Sequence, residues 1–217
     1  MRFIFEQIRT GGDRNFAYLV GDRETGDAAA VDPAFEPALT LARAKAQGLT
    51  IRWILNTHGH ADHVNGNAGM KEATGAEVLA HADIPGGPDR ALADGEEILV
   101  GSIPIRVYHV PGHCPDHLLF HLPDQKVAIT GDLLFVGKIG GTAGEEAARA
   151  EYESLWRMLA KFPDDTTVWP GHDYGCRPAS TIALEKTTNP FLLAEDFDAF
   201  YRLKRDWAGF KAENGLA

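Results

Sequence analysis

Residues 56–63 read Asn56-Thr57-His58-Gly59-His60-Ala61-Asp62-His63, directly after the apolar stretch Ile51-Arg52-Trp53-Ile54-Leu55. A buried-type strand that runs into such a cluster constrains the fold more than any other feature of the chain. In an irregular loop these imidazoles and the carboxylate converge from several directions onto one small volume. Imidazole nitrogen and carboxylate oxygen are the ligand set of zinc and of non-haem iron. Two ions explain why six consecutive residues carry four ligand groups, and Gly59 and Ala61 leave room for close approach.

Three further candidates each end a predicted strand. His113 follows 103–109 within Pro111-Gly112-His113, Asp132 follows 126–130 within Thr130-Gly131-Asp132, and His172 follows 166–169 within Pro170-Gly171-His172. Strand ends give functional side chains a rigid support, and the neighbouring glycines let the backbone turn sharply. Taken singly, each is an ordinary surface histidine or turn aspartate; the ordered set is not. Of the other histidines, His81, His109 and His121 read as structural. His117, four residues past His113, reads as a support for the ligands, as do Asn56, Thr57, Asp116 and Asp173. Cys114 reads as a small filler and Cys176 has no assigned role.

The rest of the chain supplies a scaffold of layered α/β type with helices outside. Strands are predicted at 3–8, 16–20, 28–31, 51–55, 76–80, 98–100, 103–109, 117–121, 126–130 and 166–169. Helices are predicted at 36–47, 64–74, 145–161, 178–188 and 196–213, and residues 81–97 read as loop. Several strands follow one another without helices, so the order is not that of a regular doubly wound sheet. Residues 138–145, rich in glycine and alanine, read as a flexible pocket wall. The texture changes near residue 176, which divides the chain into a main domain, 1–176, and a C-terminal helical extension, 177–217. In the last helix Phe200, Leu203, Trp207 and Phe210 form one apolar stripe, which packs on the main domain. The same segment carries Arg202, Lys204, Arg205 and Lys211, read either as a solvated face or as an anchor for an anionic substrate.

At 217 residues, with 44% hydrophobic and 24% charged residues, the chain has the composition of one folded domain plus an extension. A net charge of −10 opposes binding to nucleic acid and to anionic membranes. No apolar run approaches bilayer-spanning length, the N-terminus has no signal-peptide core, and two cysteines cannot build a disulfide scaffold. The expectation is a cytoplasmic protein with no nucleic-acid or membrane partner, and a homodimer is compatible with it.

The pattern His58-x-His60-x-Asp62-His63, then His113, Asp132 and His172, resembles that of the metallo-β-lactamase fold superfamily over roughly residues 1–176. The resemblance implies a four-layer αββα sandwich with the metal site at one edge. It implies that His58, His60 and His113 hold one metal, that Asp62, His63 and His172 hold a second, and that Asp132 bridges both. Within the superfamily, Thr130-Gly131-Asp132-Leu133-Leu134-Phe135, Pro170-Gly171-His172-Asp173-Tyr174, Glu185 and Thr188-Asn189-Pro190-Phe191-Leu192 are similar to glyoxalase II (hydroxyacylglutathione hydrolase) and to the persulfide dioxygenases. Glyoxalase II has a longer helical C-terminal part. Persulfide dioxygenases carry an arginine after the bridging aspartate where this chain reads Gly137-Lys138-Ile139-Gly140-Gly141-Thr142, with Lys138 as the available cation.

The expected reaction is metal-assisted hydrolysis of a thioester, a glutathione conjugate being the substrate implied. Two divalent ions, zinc first and iron or manganese next, sit about 3.5–4 Å apart and lower the pKa of a shared water to about 7. Asp62 and Asp132 are the expected catalytic carboxylates, and Lys138, Arg202 and Lys204 the expected substrate contacts. Three alternatives stay open. One is a single-iron persulfide dioxygenase using His58, His113 and Asp132. Another is a lactonase or other ester hydrolase of the same fold. The third is a non-catalytic metal-binding module, although seven ligand-type groups exceed the four that close a structural zinc site.

Overall fold

The structure, a computed structural model, describes residues 2–215. The first sheet contains β1 (Phe3–Gly11), β2 (Asn15–Asp22), β3 (Asp27–Val31), β4 (Thr50–Leu55), β5 (Glu77–His81) and β6 (Arg90–Leu92), side by side in that order. Strands β1 to β3 are antiparallel, and β3 to β6 run parallel. Helices α1 (Pro37–Ala46), α2 (Ala61–Val64) and α3 (Asn67–Thr74) lie in the crossovers. The second sheet is built from β7 (Glu97–Val100), β8 (Ile103–His109), β9 (Leu118–Leu122) and β10 (Val127–Gly131), extended beyond β10 by β13 (Thr167–Pro170) and β14 (Ser180–Thr181). Only β10 and β13 are parallel in it. A short hairpin, β11 (Leu134–Phe135) and β12 (Lys138–Ile139), follows β10. The helices on this side are α4 (Gly144–Lys161), α5 (Ile182–Thr188), α6 (Phe197–Arg205) and α7 (Trp207–Glu213).

Period-two alternation distributes the apolar side chains among three cores. In β2, Tyr18 and Val20 point between the sheets while Leu19 points to the α1 and α3 side. In β9, Leu118, Phe120 and Leu122 face the inter-sheet core while Leu119 faces α4. A strand covered on both faces reads as a continuous apolar run, and every residue of β2, β9 and β10 is buried. The result is the four-layer αββα arrangement. Among the described residues, no helix is long and apolar enough to cross a membrane.

Five elements differ from the sequence reading; the helix predicted over 178–188 opens as the strand β14 and is helical only from Ile182. The helix predicted over 64–74 splits after Val64, because Asn65 and Gly66 are held by the segment after β3. Asn65 Oδ1 accepts from the Phe35 amide at 2.6 Å, and a Cβ on Gly66 would lie 1.7 Å from the Pro33 carbonyl oxygen. The helix predicted over 196–213 breaks at Asp206, where φ is −116° and ψ is 34°. The break lets Trp207 pack on Phe191 and Phe210, with ring centroids 4.8 and 5.5 Å apart. The predicted loop at 81–97 contains β6. The predicted flexible wall begins as the paired strand β12, and its Gly140 is buried. Within α6, Phe200 is fully buried in the outer core and Leu203 packs against it.

Candidate metal centre

The candidate ligands follow β4, β8, β10 and β13 in the chain and gather at one edge of the sandwich. β4 stops because the chain beyond it turns onto Asp32, which ends β3 in a left-handed conformation (φ 45°). The Thr57 amide donates to Asp32 Oδ1 at 2.8 Å and its hydroxyl donates to Oδ2 at 2.6 Å. Asn56 and Asn67 exchange amide hydrogen bonds beneath this turn at 2.7 and 3.3 Å. α2 then carries Asp62 and His63 back over the strand end. β10 presents Asp132 through Gly131 (φ 50°), where a Cβ would approach the His117 ring and Thr57 to 2.8 Å. β13 presents His172 beside it, and the Gly171 amide donates to the Gly131 carbonyl at 2.8 Å.

All seven side chains reach one cleft. His60 Nδ1 lies 3.0 Å from His58 Nε2 and 2.9 Å from His113 Nε2. On the other side, His63 Nε2 and His172 Nε2 are 3.3 Å apart, with Asp62 Oδ2 3.7 and 3.4 Å away. Asp132 stands between the two groups: one oxygen is 3.4 Å from His63, the other 3.6 Å from His113 and 3.3 Å from His172. Cys114 Sγ also lies near His58 and His60.

The far ring nitrogens decide what the near ones can do. The Thr57 hydroxyl already donates to Asp32, so His58 Nδ1 must donate to it, at 3.0 Å. His63 Nδ1 donates to Asp32 Oδ2 at 3.0 Å, His113 Nδ1 to the Gly141 carbonyl at 2.8 Å and His172 Nδ1 to the Asp13 carbonyl at 2.8 Å. With a hydrogen fixed on each far nitrogen, the Nε2 atoms of His58, His63, His113 and His172 turn into the cleft, where each offers a lone pair to a cation once it carries no proton of its own. Asp132 Oδ1 is buried and has no hydrogen-bond partner. Converging lone pairs around an unpartnered carboxylate oxygen are what a cation needs, and such outer hydrogen bonds orient ligand imidazoles. The donor set therefore fits divalent metal.

The electrostatics agree. Burial pushes the His63 imidazole down, but Asp132, Asp32 and Asp62 outweigh it and hold its pKa up at about 9. Burial likewise raises the Asp132 carboxyl, but His63, His172 and His113 drive it far below the usual range. Burial and the four neighbouring histidines push His58 down. The carboxylates thus favour positive charge at His63 and His172, while burial and the neighbouring histidines disfavour it at His58 and His113.

Asp32 was legible in the sequence only as a strand stop, yet it is the anchor of His63 and Thr57. Its signal, an acid at the end of an apolar strand, is the one that marks Asp132. Asn15, which gave no signal, holds Asp62 through two 3.0 Å bonds, to its carbonyl and to Oδ2. His117 accepts from the Asp132 amide at 3.0 Å and stacks on His58. His81 and His109 stack on each other, and His121 stacks on Phe162 in the outer core. Asp173 pairs with Arg9, and Asp116 is buried near Gly59.

Of the candidate substrate contacts, Lys138 and Lys204 line one cavity of about 390 Å³, with Gly140, Gly141, Tyr201 and Trp207. Lys204 is mostly buried there and its ammonium is paired with Glu151. Arg202 is exposed on a separate cleft with Leu203, Asp206 and Phe210.

A model of the family described as "Metallo-beta-lactamase superfamily" matches residues 10–172. A hydroxyacylglutathione hydrolase of Polaromonas is 40% identical over 177 residues, spanning 79% of this chain and 67% of that protein. The human mitochondrial persulfide dioxygenase ETHE1 is 32% identical over 195 residues, spanning 88% of this chain and 75% of that one. The crystal structure of ETHE1 from Myxococcus xanthus superposes with a TM-score of 0.87 at 31% identity, over 94% of this chain and 91% of that chain. The family match runs from the β1–β2 turn that supports His172 to His172 itself, and the chain belongs to the metallo-beta-lactamase superfamily.

Proposed function

We propose that the chain is a metal-dependent thioester hydrolase of the hydroxyacylglutathione hydrolase type, with two divalent ions. The observation that carries this reading is the position of Asp132, within 3.6 Å of ring nitrogens from both ligand groups. His58, His60 and His113 would hold one ion, Asp62, His63 and His172 the other, and Asp132 both. Bound divalent cations supply Lewis acidity toward the acyl oxygen and lower the pKa of water.

The chain's own residues hold the reactants. Asp62 is half-buried, and although burial raises its carboxyl, Asn15, His63 and His172 lower it, so it is ionised at neutral pH. Asn15 anchors Oδ2, which leaves Oδ1 to accept a proton from a water at the open side of the cleft. Lys138 sits 4.5 Å from the Tyr174 ring centroid, and Tyr174 stacks on His172 at 4.6 Å. The Lys138 ammonium lies among charges of both signs, Arg14 and Lys211 against Asp13 and Asp132, and is the cation available to an anionic thiol handle. A thioester suits the site because its thiolate leaves with little protonation.

The whole-chain likeness to ETHE1 of Myxococcus xanthus favours one second reading, a persulfide dioxygenase with one iron at His58, His113 and Asp132. The test is thiol release from a hydroxyacyl-glutathione thioester by the metal-loaded protein. Lactones and, on an oxygen electrode, glutathione persulfide run in parallel. Thiol release without oxygen uptake supports the hydrolase. Oxygen uptake by protein holding one iron per chain replaces it with the dioxygenase.

A further inference from the structure

Beside His113, between α4 and α6, lies a buried ion pair that the proposed chemistry does not use. Glu151 of α4 is fully buried, and its Oε2 pairs with Lys204 Nζ of α6, whose side chain is 8% exposed. Glu151 Oε1 has no hydrogen-bond partner. Burial pushes the Glu151 carboxyl up and the Lys204 ammonium down, so both charges are held against a desolvation cost. A buried pair is often no more stabilising than apolar residues of the same volume, so stability alone does not account for this one.

Its surroundings give it a different role. The chain entering His113 rests on the turn of α4 that carries Glu151. Gly112 has φ 147°, and a Cβ there would lie 2.2 Å from Glu151 Cβ and 2.4 Å from Glu151 Cα. Ser154, one turn further along α4, donates its hydroxyl to the Pro111 carbonyl at 2.8 Å. The His113 ring is held from its other side by the Gly141 carbonyl. The neighbouring Gly140 carbonyl accepts from Lys204 Nζ at 2.7 Å. Gly140 itself is wedged in place, since a Cβ there would lie 2.1 Å from the Asp132 carbonyl oxygen and 3.0 Å from His113 Nδ1. One ammonium therefore ties the floor under the His113 backbone to the segment that clamps its ring.

We infer that Glu151 and Lys204 are positioning residues that fix His113 in its ligating orientation and so couple helix α6 to metal retention. The inference rests on the reading of the cleft as a metal centre and is independent of the substrate. Neither side chain touches a reacting atom. Removing the tie frees the 140–141 segment, and the His113 ring then loses its defined orientation.

The test is metal affinity, read by competition between the protein and a chromophoric chelator for Zn²⁺, with Tm measured on the same samples. Lys204→Met leaves the buried Glu151 carboxyl without its partner, so the Glu151→Met/Lys204→Met double variant is the decisive one. Lys204→Gln, which keeps a donor for Gly140, is the milder companion. The expected result is metal affinity weaker by about tenfold or more in the double variant, in line with other outer-shell losses, at a Tm of the metal-free protein close to wild type. Lys204→Gln should fall between the two. Wild-type affinity in variants that have lost the ion pair overturns the inference. Should the double variant not fold, wild-type affinity in Lys204→Gln overturns it equally. Wild-type protein that binds no Zn²⁺ refutes the metal-centre reading instead, a distinct outcome.

Discussion

Asp32 Oδ2 lies 3.0 Å from His63 Nδ1, on the opposite side of that ring from Asp132. Both side chains are buried, at 4% and 1% exposure, and the same oxygen accepts the Thr57 hydroxyl. One carboxylate thus sets the tautomer of His63 directly and that of His58 through Thr57.

Replacing it tests that relay. Asp32→Asn should weaken metal binding by about 10- to 100-fold, because an amide nitrogen placed toward His63 cannot accept its hydrogen. Chelator competition on folded protein measures the effect; unchanged affinity would refute the relay.

Metal should also stabilise the fold. A ligand that binds only the native state at about 1,000 times its Kd contributes about 4 kcal/mol. For a chain of 217 residues that corresponds to a rise in Tm of roughly 8–16 °C. Calorimetry before and after chelation, followed by metal re-addition, should show the loss and its recovery.

Gly66 is required for steric reasons. Its φ of −91° suits any residue, but the Pro33 carbonyl oxygen occupies the place of a Cβ. Gly66→Ala must displace the segment that follows Asp32, at a cost of about 1–3 kcal/mol. Urea unfolding should show it as a lower midpoint at unchanged slope.

Acid should weaken the molecule partly through Asp22. Burial pushes this carboxyl up, but Ser102, through hydroxyl and amide, the Glu24 amide and Arg2 outweigh burial and hold it at about 2, against 3.8 unfolded. A depressed carboxyl contributes stability above its unfolded pKa and loses it as pH falls through the folded one. The shift is worth about 2 kcal/mol. Asp22→Asn should lower stability by about that much at pH 7 and by much less near pH 2, in paired denaturant titrations.

The sandwich and its candidate ligands were legible for local reasons. Strands buried on both faces read as apolar runs, and five of the seven candidate ligands sit beside a glycine beyond the end of one. What was illegible depends on partners distant in the chain. The Asp13 and Gly141 carbonyls that fix His172 and His113 belong to the backbone, which no side-chain pattern reports. Asn15 lies 47 residues from Asp62, and Glu151 lies 53 from Lys204. The helix breaks at 65–66 and 206 and the two-residue strands of the β11–β12 hairpin are likewise set by tertiary packing, which overrides propensity.

The most direct test of the metal centre is elemental analysis of the purified protein and of Asp132→Ala, paired with thiol release from a hydroxyacyl-glutathione thioester. Wild-type protein should carry divalent metal and turn over the thioester, with both lost in Asp132→Ala. Full turnover by wild-type protein stripped of metal, or metal content and rate unchanged in Asp132→Ala, would contradict the account.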